Sequence, residues 1–300
     1  MKKLNIFYFI ITALLIISCG SSNSEETSLD ENLIADFSFT SDDNFFEFTN
    51  LSQGATTYRW DLGDLSFYCE KENPTYRYVT VGGDIDVTLT AINGSGQEAS
   101  ITKTIQAPKV IDVDIKIDGN FDEWQDIDFL YEEADGISVQ KIKIYGKGDN
   151  VNVYLEGNEL MKMDLVDMFI DSDGDSSTGF VSWQWPEGSG ADYLFEGPLL
   201  SASWGSFYQQ TDPNGGWAWA ALAGSGVNLL SSGAVSIGES TNAIEFSIPK
   251  TQLGTLGETI SFAFSEKTSG WAAIGDFPKV SATGSFVSYT FPIEALGVCQ

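Results

Sequence analysis

The sequence predicts an all-β fold built from two successive β-sandwiches, and three observations point there. Short segments alternate apolar with polar residues, the period of half-buried strands. Clusters of Asp, Asn, Gly and Ser separate these segments, and no useful length of helical period follows the first twenty residues. The first set of strands comprises Ile34 to Phe39, Phe45 to Thr49, Thr57 to Asp61, Ile85 to Ala91 and Ile101 to Ile105. A break at Gln106-Ala107-Pro108 leads to a second set: Val139 to Tyr145, Val151 to Glu156, Met168 to Asp171, Tyr193 to Glu196, Ala243 to Ile248 and Ile260 to Ser265. Gly- and Ser-rich connections, at Gly188 to Gly190 and Gly224 to Gly238, run between them. Such loops gather at one end or face of a sandwich and carry its binding function.

The chain opens with Lys2 and Lys3, runs apolar from Leu4 to Ile17 with Asn5 and Thr12 as interruptions, and reaches Ser18-Cys19-Gly20. That run falls short of the roughly 20 residues a spanning helix needs, so it reads as a processed export signal. Leu15-Ile16-Ile17-Ser18-Cys19 resembles the lipobox of bacterial lipoproteins, which implies an acylated Cys19 as membrane anchor. Residues 20–32 are polar and acidic and read as a tether. Glu25 and Glu26 resemble the export tags of surface lipoproteins, which implies an outer-membrane location facing the cell exterior.

The formal charge of -28, with Arg59 and Arg77 the only arginines, argues against nucleic acid and anionic surfaces as partners. The absence of histidine removes Ser-His-Asp and Cys-His nucleophiles and His-ligated zinc or haem. Carboxylate chemistry and oxygen-ligated cations remain. Cys69 and Cys299 are expected as a buried thiol and a loose terminal one rather than as a pair.

Tyr58-Arg59-Trp60-Asp61-Leu62-Gly63-Asp64, Asn73-Pro74-Thr75-Tyr76-Arg77-Tyr78 and Val87-Thr88-Leu89-Thr90-Ala91-Ile92-Asn93-Gly94-Ser95-Gly96 resemble a PKD domain over residues 33–107. The resemblance implies an immunoglobulin-like sandwich acting as a spacer. Leu62 and Leu65 stand where that family has Phe and Gly. Trp60 is expected at the centre of the core, with Tyr78 covering it.

Four later landmarks are similar to family 9 carbohydrate-binding modules over residues 112–298: Ile117-Asp118-Gly119-Asn120-Phe121-Asp122-Glu123-Trp124, Phe169 to Phe180, Gly190-Ala191-Asp192-Tyr193, and Glu245-Phe246-Ser247-Ile248-Pro249-Lys250. The resemblance implies a larger β-sandwich with structural calcium and aromatic rings that grip sugars. On their own chemistry, Asp171, Asp173 and Asp175 crowd three carboxylates into five residues, which repel unless a cation or strong donors neutralise them. Gly174 comes too early for an EF-hand, and Ser182 stands where its bidentate glutamate is expected. The family pattern adds Asp192, and calcium is the expected ion.

Six of the eight tryptophans fall between Trp183 and Trp271. Trp183/Trp185 and Trp217/Trp219 are spaced i, i+2, which on a strand puts both rings of a pair on one face. With Trp204, Tyr208 and Trp271 they form a candidate stacking platform for sugar rings, flanked by Gln184, Gln209, Gln210 and Asn214; the other reading is that these rings fill the core. From Asp164 onward Lys250, Lys267 and Lys279 are the only basic residues, which favours a neutral glycan.

The resulting expectation is a non-catalytic, lipid-anchored protein that captures a polysaccharide or oligosaccharide beside an outer-membrane glycan transporter. An adhesion or partner-docking protein is the alternative. A glycoside hydrolase is disfavoured because no Glu-x-Asp-x-x-Glu strand occurs.

Overall fold

The computed structural model describes residues 32–64, 68–293 and 299–300. Cys19, the export signal and Leu65 lie outside the described residues. The chain divides into two compact units, one within Met1–Arg77, Asp84–Gln106 and Val298–Gln300, the other within Tyr78–Gly83 and Ala107–Gly297. Both are built from strands, and no helix among the described residues is long and apolar enough to cross a membrane.

The first unit contains β1 (Phe37–Asp42), β2 (Phe45–Asn50), β3 (Thr57–Asp61), β4 (Tyr68–Cys69), β5 (Thr75–Arg77), β6 (Gly83–Ile92) and β7 (Glu98–Ala107). They pair as β1-β2-β5 and β4-β3-β6-β7. Alternation buries Phe46 and Phe48 of β2 and Val87, Leu89 and Ala91 of β6. Trp60 is fully buried, with Phe37 edge-on at 5.1 Å and Phe48 at 5.6 Å. Its indole N–H donates to the Lys71 carbonyl at 2.9 Å, so the largest core side chain leaves no polar atom unanswered.

The cysteine expectation is corrected here. Cys69 and Cys299 form a disulfide, their Cα atoms 5.9 Å apart. Gln300 exchanges two backbone hydrogen bonds with Thr75, at 3.1 and 3.3 Å, and thereby carries Cys299 to Cys69. A sequence separation of 230 residues hid that approach.

The second unit contains β8 (Tyr131–Glu132), β9 (Val139–Tyr145), β10 (Asn150–Asn158), β11 (Leu165–Asp171), β12 (Tyr193–Gly197), β13 (Ser206–Gln210), β14 (Trp219–Ala221), β15 (Leu230–Ser231), β16 (Val235–Ser236), β17 (Thr241–Pro249), β18 (Thr259–Lys267), β19 (Ala273–Phe277) and β20 (Val287–Thr290). One sheet runs β15-β17-β10-β9-β8, with β16 also on β17; the other runs β14-β13-β12-β11-β18-β19, with β20 also on β18. Between the sheets lies a core to which β10 gives Val151, Val153 and Leu155, β11 gives Val166, Met168 and Ile170, β17 gives Ile244, Phe246 and Ile248, and β18 gives Ile260, Phe262 and Phe264. Every contribution skips one residue, as the pleat requires.

The far side of the β10/β17 sheet is covered by the segment before β8, whose Trp124, Ile127 and Phe129 pack on Tyr145 and Tyr154. Glu245 pins that cover. Its buried carboxylate accepts the Asp118 and Gly119 N–H groups at 2.9 and 2.7 Å and the Trp124 indole N–H at 2.8 Å. Burial raises the Glu245 carboxyl above the usual carboxylate range, against the lowering effect of these three donors. Replacing Glu245 by alanine orphans all three, and urea unfolding should show a loss of about 3 kcal/mol or more. An unchanged midpoint would mean that this clamp contributes nothing. The cysteine pair makes its own prediction: alkylation of the unfolded, unreduced protein should label neither Cys69 nor Cys299, and labelling of both would contradict the pairing.

Candidate functional site

Side chains that skip the core along the β11/β18 sheet point to its opposite face, and register arranges them in rows. Asp171 and Ser261 form one row, continued by Ser288 of β20. The next is Tyr208, Leu194, Phe169 and Ala263. A third runs Ser206, Glu196, Asp167, Ser265 and Asp276 across five strands. The face therefore has an acidic end, an apolar middle and a polar end.

The apolar middle is roofed by loops. Phe180, Trp185 and Phe286 are buried against Phe169 and Leu194, with Tyr208 and Trp219 packed partly against them. Trp185 is fully buried and donates its indole N–H to the Pro278 carbonyl at 2.7 Å. The placement of Trp183 and Trp185 on one face is thereby corrected: their segment is a bend rather than a strand, so Trp183 is 78 % exposed and Trp185 lies inside. Trp217 and Trp219 do meet, at 5.6 Å, but at 76° to each other, and Trp217 precedes β14. Trp217 rests edge-on against Phe180 and Phe169 with its outer surface open, while the Trp219 indole N–H is buried without a partner among the described residues.

At the polar end, Lys267 pairs with Asp167 and lies 5.2 Å from the centre of the Trp271 ring. Gln184 donates to Asp276 at 3.0 Å and to Ser265 at 3.2 Å, and its chain neighbour Trp183 is exposed. Ser206, the first residue of β13, pairs with Glu196, and Trp204 lies in the bend just before it. Trp204 and Trp271 are 61 % and 54 % exposed. Trp271 sits in the tight turn between β18 and β19 with φ of 70°, held by its N–H on the Thr268 carbonyl at 2.8 Å. Left-handed backbone costs a tryptophan about 1 kcal/mol or more that a glycine would not incur. Where β19 gives way to β20, a recess of about 590 Å³ is lined by Ser281, Thr283, Ser285, Ser288, Tyr131 and Phe286 together with Glu133 and Lys279.

At the acidic end, Asp171 closes β11 and Asp192 immediately precedes β12; with Asp173 they offer carboxylate oxygens within 4.8 Å of one another. The Asp192 carboxylate accepts from the Ser172 N–H and hydroxyl at 2.9 and 2.8 Å, and Asp171 from the Gly174 N–H at 2.9 Å. Burial, reinforced by the charges of Asp192 and Asp173, pushes the Asp171 carboxyl up to about 7 despite the Gly174 bond. Three mutually repelling carboxylates at one loop fit a hard, oxygen-liganded cation, which would relieve that repulsion. Asp175 lies outside this group of three: its carboxylate accepts the Ser177 N–H at 3.0 Å and hydroxyl at 2.5 Å, which holds its carboxyl below the usual range.

Sequence reasoning also missed Asp167 and Glu196, the floor of the polar end. The signal was present, since Glu196 is the lone acid of its strand and Asp167 shares the spacing of Phe169 and Asp171 in an otherwise apolar one.

No protein-family model and no curated protein matches the chain. Among solved structures it is similar to the PKD1 domain of Vibrio anguillarum Epp, with 26 % identity over 26 % of this chain and 93 % of that one and a TM-score of 0.24. The PKD1 domain of the Vibrio cholerae metalloprotease PrtV is similar at 26 % identity, covering 24 % and 93 %, with a TM-score of 0.23. A structure of carbohydrate-binding modules from the β-sandwich superfamily is similar at 12 % identity, covering 77 % of this chain and 94 % of that one, with a TM-score of 0.24.

Calcium at a hundredfold excess over its dissociation constant should stabilise the second unit by about 2.7 kcal/mol. Thermal unfolding checks this: the midpoint should rise with calcium and fall on chelation, and Asp171→Asn should abolish the response. A wild-type midpoint indifferent to both treatments would count against a metal at this loop.

Proposed function

We propose that this protein binds a neutral polysaccharide or oligosaccharide, without cleaving it, on the outer face of the β11/β18 sheet. The observation that carries the reading is the polar end of that face, where open tryptophan rings border a row of carboxylates and amides. Sugar rings present C–H faces that stack on aromatic planes and hydroxyls that hydrogen-bond to such acceptors. Trp271 supports the reading further, because a large ring is held exposed at a backbone conformation suited to glycine, with Lys267 5.2 Å from the ring centre. Trp183, Trp204, Trp217 and Trp271 are the rings we assign to contact; Tyr208 and Trp219 support them from below, and Trp185 belongs to the interior.

The sequence around Cys19 motivates the remaining parts of the proposal: a lipid anchor in the outer membrane, the first unit as spacer, and glycan delivery to a transporter complex. A Cys69–Cys299 disulfide supports an oxidising compartment. Calcium is proposed as a structural ion at Asp171, Asp173 and Asp192.

Affinity electrophoresis of the soluble chain beginning after Cys19, in gels containing neutral glucans, galactomannan or xylan, tests binding. At least one should retard the protein without release of reducing ends. Trp271→Gly should weaken that retardation about tenfold, the loss of roughly 1.4 kcal/mol expected of one stacking ring, while its thermal midpoint holds or rises because backbone strain is relieved. Retardation by no glycan would sink the proposal, and reducing ends released by the wild type would replace binding by hydrolysis.

A further inference from the structure

Each acidic side chain of the β11/β18 sheet except one takes a protein donor on at least one oxygen among the described residues, although Asp167 Oδ1 and Glu266 Oε2 are buried without a partner there. Asp171 and Asp192 take backbone and serine donors. Asp167 holds Lys267, and Asp276 accepts from Ser265 and Gln184. Glu266, at the end of β18, accepts the Lys162 and Met163 N–H groups, both at 2.7 Å. Glu196 has neither a hydrogen bond nor an ion pair among the described residues.

Its position makes that isolation costly. Glu196 stands in β12 between Ser206 of β13 and Asp167 of β11, and its side chain is partly withdrawn from water. Burial, then the charge of Asp167, raises its carboxyl above the usual carboxylate range, and the charge of Lys267 offsets this only in part. A half-buried carboxylate beside a second one is unfavourable for the folded chain alone. It is suited to a ligand that brings hydrogen-bond donors.

We propose that Glu196 is the polar specificity residue of the glycan-binding face, accepting hydroxyl protons from a neutral sugar that lies over the row and stacks on Trp271; this rests on the glycan-binding reading above. The surroundings select the ligand's charge. Uronates and sulfates meet Glu196, Asp167 and Asp276 as like charges, with Lys267 already paired with Asp167. Hydroxyls avoid that repulsion and still donate to the carboxylate. From β13 to β18 the row crosses about 14 Å, three strand spacings, so linked rings running across the strands reach from the Trp204 side to Trp271.

Glu196→Gln provides the sharpest test. The amide keeps size and shape, places a donor beside Asp167, whose Oδ1 is buried and otherwise unpartnered among the described residues, and removes a like-charge neighbour. Affinity electrophoresis with the neutral polysaccharide that retards the wild type should show retardation weakened about tenfold or more, the loss expected of hydrogen bonds to a charged acceptor. Its thermal midpoint should stay level or rise. Glu196→Ala should lose binding similarly and serves as a second variant. If Glu196→Gln and the wild type are retarded equally by that polysaccharide, Glu196 has no such role although the glycan-binding reading stands. Retardation of the wild type by chitosan or alginate in preference to every neutral polysaccharide overturns the assigned ligand charge. If no glycan retards the wild type, the underlying reading itself fails.

Discussion

The two-residue side-chain period of β11 is the constraint on which the second unit depends. This strand lies in the interior of its sheet and is buried on both faces. Val166, Met168 and Ile170 enter the core, and Asp167, Phe169 and Asp171 are left for the other side. A slip of one residue in register against β12 or β18 would drive two aspartates into an apolar core, so register is set by the cost of burying charge as much as by gain from burying methyls. The same alternation aligns the acidic end, the apolar middle and the polar end as successive rows of one face. Fold and site therefore follow from one pattern in seven residues.

The two faces of the sandwich are finished differently. On the β10/β17 sheet, the outer face is closed by apolar cover, with Lys143 folded over Phe129 and donating to the Trp124 carbonyl at 2.7 Å while Glu245 fastens the turn above. On the β11/β18 sheet the roof covers only the middle, and the polar row beyond it stays partly open with a carboxylate, Glu196, that no donor serves among the described residues. Stability here is deliberately incomplete, as is usual where a surface is prepared for another molecule.

Much of the fold was legible because the strands that build the core alternate strictly. Val139 to Tyr145 coincides with β9, and Thr57 to Asp61 with β3. β4, β5, β8, β13, β14, β15, β16, β19 and β20 were not recognised. Ser206–Gln210 offers a single core ring, Phe207, and Ala273–Phe277 contains a glycine and only one fully buried side chain, so neither carries a readable period. The site was less legible for a related reason. An i, i+2 pair of tryptophans shares a face only on a strand, and the bend at Trp183 and Trp185 divides them. Asp175 looked like Asp171 and Asp173 in sequence, but a local turn with Ser177 captured it. Cross-strand neighbours such as Glu196 and Asp167 come together only once pairing is known.

The central claim concerns which face meets the glycan, and oxidative footprinting of the tryptophans tests it most directly. In the free protein Trp183, Trp204, Trp217 and Trp271 should oxidise readily, and the buried Trp60, Trp124 and Trp185 should resist, giving an internal control. Saturation with the neutral polysaccharide that retards the protein should slow oxidation at Trp204 and Trp271 above all. Unaltered oxidation of all four exposed rings in the saturated complex would contradict the account, because the glycan would then be held somewhere other than the outer face of the β11/β18 sheet.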